Sequence, residues 1–139
     1  MSGAEQFPFV EVDSRVGEPS RLPYVPMTLS YQERSVSVLG LLDTGSAVKV
    51  LPYQVGLRLG AVWEQQTSSV RLTGTLANEP ARVLLVHGTI AKFAPVRLAF
   101  AWTQTDAVPV ILGQVNFFMD FDVCLYRSRS IFELSRAGA

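Results

Sequence analysis

The sequence predicts an all-β domain, a barrel or a sandwich of about eight short strands with little helix. Three features lead to this prediction. Apolar residues alternate with other residues along several segments, as in Tyr24 to Tyr31, and this is the period of a half-buried strand. Polar or turn-forming residues separate the segments. Helical character is limited to Gln114 to Met119 and a brief turn at Pro52 to Leu59.

The strands can be placed in order along the chain. Tyr24 to Tyr31 and Val36 to Leu42 form a predicted β-hairpin that ends at Asp43. A short apolar segment, Ala47 to Leu51, follows and is stopped by Pro52. Further strand-like segments, the last two of them a closing hairpin, are Val70–Thr75, Arg82–Ile90, Val96–Trp102, Val108–Leu112, Val123–Tyr126 and Ile131–Leu134.

Length and composition fit one globular domain. The chain has 139 residues, of which 48% are apolar and 17% are charged, so a packed core is feasible and wholesale disorder is excluded. Residues 1–23 contain scattered prolines and charges and no sustained period. We therefore expect an N-terminal arm or lead-in over residues 1–23 and the folded domain over residues 24–139.

Charge and rare residues argue against several kinds of partner. Lys+Arg and Asp+Glu number 12 each, and without a basic excess we expect no nucleic acid partner. No apolar stretch reaches the ~20 residues of a membrane helix, and the N-terminus lacks the pattern of a signal peptide. Cys124 and His87 are the only residues of their types, which rules out a structural zinc site and an intramolecular disulfide. We expect a cytoplasmic protein with no metal, no cofactor and no membrane partner.

The triplet Asp43-Thr44-Gly45 is the candidate for chemistry. It comes directly after an apolar strand and just before another apolar segment. An acid between two buried strands is costly, because desolvation disfavours its charged form. Thr44 supplies a hydroxyl that can hold the loop, and Gly45 allows a close approach to a carboxylate that a side chain would block. The same triplet also occurs in ordinary turns, so the neighbouring sequence has to decide whether it is catalytic.

That context resembles the aspartic proteases, especially the retropepsins. Residues 41–52 read Leu-Leu-Asp-Thr-Gly-Ser-Ala-Val-Lys-Val-Leu-Pro, which is similar to the active-site segment of that family. Downstream, Val110-Ile111-Leu112-Gly113 leads into Gln114 to Phe118. This resembles a second retropepsin element, in which an apolar pair and a glycine lead into a short helix. In that family, the strand that contains the apolar pair threads behind the catalytic loop. The tail from Asp120 to Leu134 is similar to the closing hairpin of the same fold. The resemblance spans residues 24–134.

The resemblance implies a fold and a set of site residues. The fold is a closed or partly open acid-protease barrel, a single lobe with one short helix near the C-terminus that dimerises. Asp43, Thr44 and Gly45 are implied as catalytic residues, and no metal or other cofactor is needed. Ser46 and the tip of a flap, Thr73-Gly74-Thr75, are implied to bind substrate.

A homodimer follows from the chemistry of that family. Peptide hydrolysis of this kind needs two carboxylates that share a proton about a water molecule. The sequence contains a single Asp-Thr-Gly, so the second carboxylate must come from another copy of the chain. The implied partners are therefore a second copy and a peptide or protein substrate, cut between apolar residues. The residues expected to wall its groove are all apolar, namely Leu42, Val70, Leu72, Leu76, Val110 and Ile111.

Lys49, Ser46 and the flap differ from the pattern of the retropepsins, and the location of Cys124 is predicted separately. Lys49 stands where the family has a small or polar residue, and we expect its side chain to point outward. Ser46 follows the habit of the pepsins, whereas retroviral enzymes usually have alanine there. The flap lacks a glycine-rich run. Cys124 lies in an apolar stretch and is expected in the core.

Other interpretations of the sequence stay open. A retropepsin-like module could bind or dimerise and keep Asp43 with little or no proteolytic turnover. An unrelated β-barrel with a chance Asp-Thr-Gly would carry Asp43 on an exposed hairpin. A cysteine nucleophile formed by Cys124 and His87 has no local support in the sequence.

Overall fold

The computed structural model describes residues 3–12, 20–114 and 117–138. These residues form twelve strands and two short α-helices. The strands are, in chain order, β1 (Glu5–Pro8), β2 (Val10–Val12), β3 (Ser20–Leu22), β4 (Tyr24–Tyr31), β5 (Arg34–Leu42), β6 (Val50–Leu51), β7 (Ser69–Val70), β8 (Ala81–Thr89), β9 (Val96–Thr103), β10 (Val110–Leu112), β11 (Phe121–Tyr126) and β12 (Ile131–Arg136). The helices are α1 (Tyr53–Arg58) and α2 (Phe117–Asp120).

Six of the strands close into a barrel. Their order around it is β4, β5, β10, β6, β9 and β8, and the pairing of β8 with β4 completes the ring. Two antiparallel hairpins, β4–β5 and β8–β9, provide four of the six strands. Their buried residues alternate with more exposed ones, as the period of a half-buried strand requires. The predicted all-β barrel is confirmed.

One predicted strand is mostly absent. Val70–Thr75 was expected to be extended, but only Ser69 and Val70 form β7, which pairs with the first two residues of β8. Gly74 begins a 3-10 turn, Gly74–Leu76, with a φ of +66° that favours glycine. The predicted helix over Gln114–Met119 corresponds to α2, and residues 115 and 116 lie outside the described part of the chain.

The apolar side chains form two separate clusters. The main core fills the barrel and extends under the strands near the chain ends, and it includes Leu29, Phe100, Trp102 and Phe132, each at most 1% exposed. A second, smaller cluster contains four buried residues, Val50, Leu72, Ala81 and Ala101. Its remaining members are only half-buried, so this second cluster borders a partly open space. They are Val48, Val70, Leu76, Val108 and Ile111.

The two ends of the described chain meet in a three-stranded sheet. β12 lies in the middle, with β1 on one side and β11 on the other, and Glu5 is the register partner of Leu134. The rings of Phe7 and Phe132 stack with centroids 5.2 Å apart. Cys124 is exposed on β11, so its expected place in the core is wrong. Phe121 on the same strand is buried and Val123 packs against the main core, and a period of two puts Cys124, the residue after Val123, on the opposite face.

Helix α1 packs closely onto strand β9. A Cβ at Gly56 would overlap the indole of Trp102, so only glycine fits there. The Trp102 indole is fully buried, and its Nε1 donates a hydrogen bond to the Tyr53 carbonyl oxygen at 3.1 Å. Trp63 packs edge-on against it at 5.3 Å. Within the described residues, no helix has the length and apolar character needed to cross a membrane.

Lys49 is buried, which overturns the expectation that it points outward. Its side chain is 1% exposed, and no described residue accepts a hydrogen bond from its Nζ. Nζ lies 6.0 Å from the centre of the Phe100 ring. Burial lowers the pKa of Lys49 from 10.5 to about 8, and the negative charge of Asp120 opposes this shift. The expectation failed because β6, which Lys49 directly precedes, lies between β10 and β9, and both of its residues are buried.

Replacing Lys49 by methionine is expected to stabilise the protein at pH 7. Methionine keeps an unbranched stem and removes the buried charge. In the native protein, the folded chain releases the Lys49 proton near pH 8 and the unfolded chain near 10.5, so the free energy of unfolding should rise with pH between these values. The full rise corresponds to about 3 kcal/mol. Urea titrations of both proteins at a series of pH values measure it.

The control is Lys92→Met, because Lys92 is exposed and pairs with Glu5 at 3.3 Å. The pKa of Tyr24 is raised by burial and that of Tyr126 chiefly by Glu133, and both tyrosines titrate in every variant. The difference between native and Lys49→Met protein therefore isolates Lys49. Equal pH dependence of the two proteins from pH 7 to 10 would contradict the prediction.

Candidate active site

The candidate site is built where strand β5 ends. Leu42, the last residue of β5, pairs in parallel register with Leu112, the last residue of β10. Asp43 follows, and its backbone N–H donates a hydrogen bond to the Leu112 carbonyl oxygen at 3.0 Å. β10 also pairs with β6, so it lies between the strands that enter and leave the loop of residues 43–49. The loop therefore crosses over the end of β10.

The Asp43 carboxylate is held from within its own loop. The Gly45 N–H donates to Oδ1 at 2.9 Å, and the Ser46 hydroxyl donates to Oδ2 at 3.0 Å. The Ser46 N–H donates to the Asp43 carbonyl oxygen at 3.2 Å and closes the turn. Each carboxylate oxygen thus has a donor on the protein, and the residue as a whole is half-buried. Such hydrogen bonds fix the orientation of the carboxylate.

Gly113 and Gln114, which follow β10, contact the Asp43 loop and hold it in place. A Cβ at Gly113 would overlap the Val48 carbonyl oxygen and lie 2.6 Å from the Ser46 carbonyl oxygen, so only glycine permits this approach. The Gln114 N–H donates to the Ser46 carbonyl oxygen at 2.8 Å. The Gln114 side-chain amide donates to the Thr44 carbonyl oxygen. The sequence predicted a motif at this place, but it did not identify Gln114 as a support of the loop.

The loop forms one side of a cleft of about 480 Å³. Asp43, Gly45 and Ser46 line it on that side. The segment between β7 and β8 lines the other side, and it includes the predicted flap residues Thr73, Gly74 and Thr75. Thr44 does not line the cleft. Its side chain is exposed, and its hydroxyl makes no hydrogen bond to any described residue.

The cleft walls agree with the expected ones only in part. Leu72, Leu76 and Ile111 line the cleft, whereas Leu42 and Val110 belong to the main core. Alternation explains the difference on β10, because Val110 and Leu112 are buried on one face and Ile111 turns to the other. Val70 borders a neighbouring cavity.

Sequence reasoning missed five further lining residues. Arg71 adds a charge at the edge of the cleft, and the other four add apolar surface, namely Ala47, Val48, Val50 and Val108. For the valines a signal existed, since they lie in the predicted apolar segments Ala47–Leu51 and Val108–Leu112. For Arg71 there was none, because it lies in an irregular segment.

Among the described residues, Asp43 is the only carboxylate that lines the cleft. Asp106 is occupied elsewhere, where its carboxylate accepts a hydrogen bond from the Gln54 N–H at 2.8 Å. His87 lies on β8 and Cys124 on β11, and neither lines the cleft. In residues 3–12, 20–114 and 117–138, no three His, Cys, Asp or Glu side chains form a group that could hold a metal ion.

Solved structures of two protease-type proteins share this architecture at low sequence identity. A retropepsin-like aspartic protease from Rickettsia conorii matches with a TM-score of 0.60 and 16% identity, over 96% of this chain and 94% of that chain. The retroviral protease-like domain of Ddi1 from Leishmania major matches with a TM-score of 0.61 and 15% identity, over 85% of this chain and 90% of that chain. No protein-family model and no curated protein matches the sequence. The chain has a retropepsin-like fold.

Proposed function

We propose that this chain is an aspartic endopeptidase that acts as a homodimer. Two Asp43 carboxylates, one from each subunit, hold the attacking water between them. One accepts the proton of the water while the other, protonated, donates a hydrogen bond to the scissile carbonyl oxygen, and the roles then exchange. The observation that carries the proposal is the doubly hydrogen-bonded Asp43 carboxylate in a cleft faced by a flap-like segment. The likeness to retropepsin-like structures supports the same chemistry.

The proposed dimer is supported by the incomplete catalytic site of the single chain. The described part of the chain gives the cleft one carboxylate, where the chemistry needs two. Thr44 and Gly45 are exposed at the tip of the loop, and the Thr44 hydroxyl is free to bond to another chain. A two-fold axis beside this loop would bring two Asp43 side chains together and bury both threonines.

The proposed substrate is an extended peptide with apolar residues on both sides of the cut. Leu72 and Leu76 from the flap side, and Val50, Val108 and Ile111 from the barrel side, give the cleft apolar walls. An extended peptide in such a cleft can add to the flap as a strand, with backbone hydrogen bonds providing affinity and alternate side chains entering pockets.

Asp43→Asn is expected to abolish peptide cleavage and to leave the fold intact. Each dimer would lose both carboxylates, while the amide oxygen of asparagine can still accept the Gly45 N–H and its NH2 can donate to the Ser46 hydroxyl oxygen. Cleavage of a mixed peptide library, read by mass spectrometry, measures activity and the residues beside each cut. The matched control is Asp122→Asn, because Asp122 is exposed on β11.

Cleavage that survives Asp43→Asn would contradict the proposal. A requirement for a charged residue directly beside the cut would contradict the proposed substrate. A native protein that dimerises but cleaves no peptide would favour the binding or dimerisation module over the protease.

Thr44→Ala is expected to weaken the dimer more than the fold of each chain. The hydroxyl bonds to no described residue within the chain, so its loss costs the monomer little. In the dimer, the lost contact would leave a buried partner unpaired, at a cost of about 1–3 kcal/mol. Sedimentation equilibrium over graded concentrations gives the dimer dissociation constant, with exposed Thr67→Ala as control. Equal dissociation constants for the native and Thr44→Ala proteins would defeat this prediction.

Ser46→Ala is expected to lower kcat with little change in KM. The Ser46 hydroxyl donates to Oδ2 of Asp43 and fixes the orientation of the carboxylate on which the reaction depends. The variant keeps the Gly45 hydrogen bond to Oδ1, so the loop itself is retained. Initial rates over a range of substrate concentrations test this, with Ser128→Ala as control. An unchanged kcat would show that this hydrogen bond does not govern the working dyad.

A further inference from the structure

Gln114 makes two hydrogen bonds to the loop that carries Asp43, and only one of them depends on the residue type. The backbone N–H of Gln114 donates to the Ser46 carbonyl oxygen at 2.8 Å, a bond that every residue except proline can make. The side-chain amide donates to the Thr44 carbonyl oxygen. This second bond requires a donor at the end of a side chain of suitable length.

The side-chain bond of Gln114 reaches the Asp43 carboxylate through a single peptide group. The Thr44 carbonyl and the Gly45 N–H are the two ends of this planar unit, which we call the Gly45 peptide group. Its carbonyl oxygen accepts the bond from Gln114, and its N–H donates to Oδ1 of Asp43 at 2.9 Å. Because a bond accepted at the carbonyl polarises the amide, it strengthens the bond that the N–H donates, by about 10–30%.

The Gly45 peptide group needs such a support. A Cβ at Gly45 would lie 3.2 Å from Oδ1 of Asp43, so glycine gives the carboxylate room. The same absence of a Cβ lets the peptide group rotate at little steric cost, and rotation would turn its N–H away from the carboxylate. Both residues of the group are exposed, and among the described residues only Gln114 donates to its carbonyl oxygen.

The other oxygen of the carboxylate is held by a separate contact. The Ser46 hydroxyl donates to Oδ2 of Asp43 at 3.0 Å, and the Ser46 N–H donates to the Asp43 carbonyl oxygen at 3.2 Å. Neither bond passes through the Gly45 peptide group. Loss of the Gln114 side-chain bond should therefore loosen one oxygen of the carboxylate and leave the turn closed.

We propose that Gln114 is a positioning residue, which orients the Asp43 carboxylate through the Gly45 peptide group. The proposal rests on the proposed protease function of Asp43 and adds to it a residue outside the lining of the cleft. Since Gln114 would act on the placement of the carboxylate and not on the bound peptide, it should govern kcat and leave KM nearly unchanged.

Two substitutions of Gln114 separate the donor from the rest of the side chain. Gln114→Met keeps an unbranched side chain and removes the donor. Gln114→Arg keeps a donor, because the arginine Nε–H stands as many bonds from Cα as the amide nitrogen of glutamine. The control is Gln66→Met, because the Gln66 side-chain amide also donates to a backbone carbonyl, that of Val62 at 3.2 Å, and lies outside the cleft lining.

Steady-state rates on a peptide that the native protein cleaves give the first result. Gln114→Met should lower kcat by about 10-fold and change KM by less than about 2-fold, while Gln114→Arg and Gln66→Met should keep the native kcat. Each variant is assayed well above its own dimer dissociation constant, so that a weakened dimer is not mistaken for a slower reaction. A native kcat in Gln114→Met, or equal losses in Gln114→Met and Gln114→Arg, would overturn the proposal.

A second measurement does not depend on catalysis. The NMR signal of the Gly45 amide proton reports its bond to Asp43, because a proton donated to a carboxylate resonates downfield. Gln114→Met should move this signal upfield and speed its exchange with solvent, whereas Gln114→Arg and Gln66→Met should leave it in place.

These NMR changes would support the hydrogen-bonded chain even if the native protein cleaves nothing, in which case only the protease function fails. An unmoved Gly45 signal in Gln114→Met would overturn the proposal and leave the protease function standing.

Discussion

The contact between Gly113 and the loop that carries Asp43 holds the barrel and the candidate site together. Gly113 lies so close to the carbonyl oxygens of Ser46 and Val48 that no Cβ fits between them. Hydrogen bonds on either side, from Asp43 to Leu112 and from Gln114 to Ser46, fasten the loop to the same strand. The loop cannot shift unless β10 separates from β5. The carboxylate thus takes its position from paired strands, which are more rigid than a free turn.

The division of the apolar residues into two clusters follows from this arrangement. The crossing of the loop over β10 leaves one face of β10 and β6 toward the main core and the other toward the flap segment. The main core contains the large aromatic side chains, such as Phe100 and Trp102, and supplies most of the buried area. The second cluster contains valine, leucine, isoleucine and alanine, and a binding cleft can open there without exposing the aromatic core.

Much of the fold could be predicted from the sequence, because the strong signals are local. The period of two in Tyr24–Tyr31 and the Asp-Thr-Gly after an apolar strand identified the barrel and the loop. The errors came from side chains whose environment depends on distant strands. Lys49 is buried because β6 is enclosed between β9 and β10. The residues that neighbour Lys49 in the sequence do not show this enclosure. Cys124 is exposed because a sheet of three strands has a core on one face only, and the apolar composition of its neighbours did not say which face it takes.

The pairing of β1 with β12 has a consequence for the order of folding. All six barrel strands lie between Tyr24 and Leu112, so the barrel contains no strand of this three-stranded sheet. The pairing joins residues that are far apart in sequence, since Gln6 bonds to Glu133 across a separation of 127 residues. Closing so long a loop costs chain entropy, and a barrel that is already folded reduces this cost by bringing the two strands together. We therefore expect the sheet of β1, β12 and β11 to assemble after the barrel.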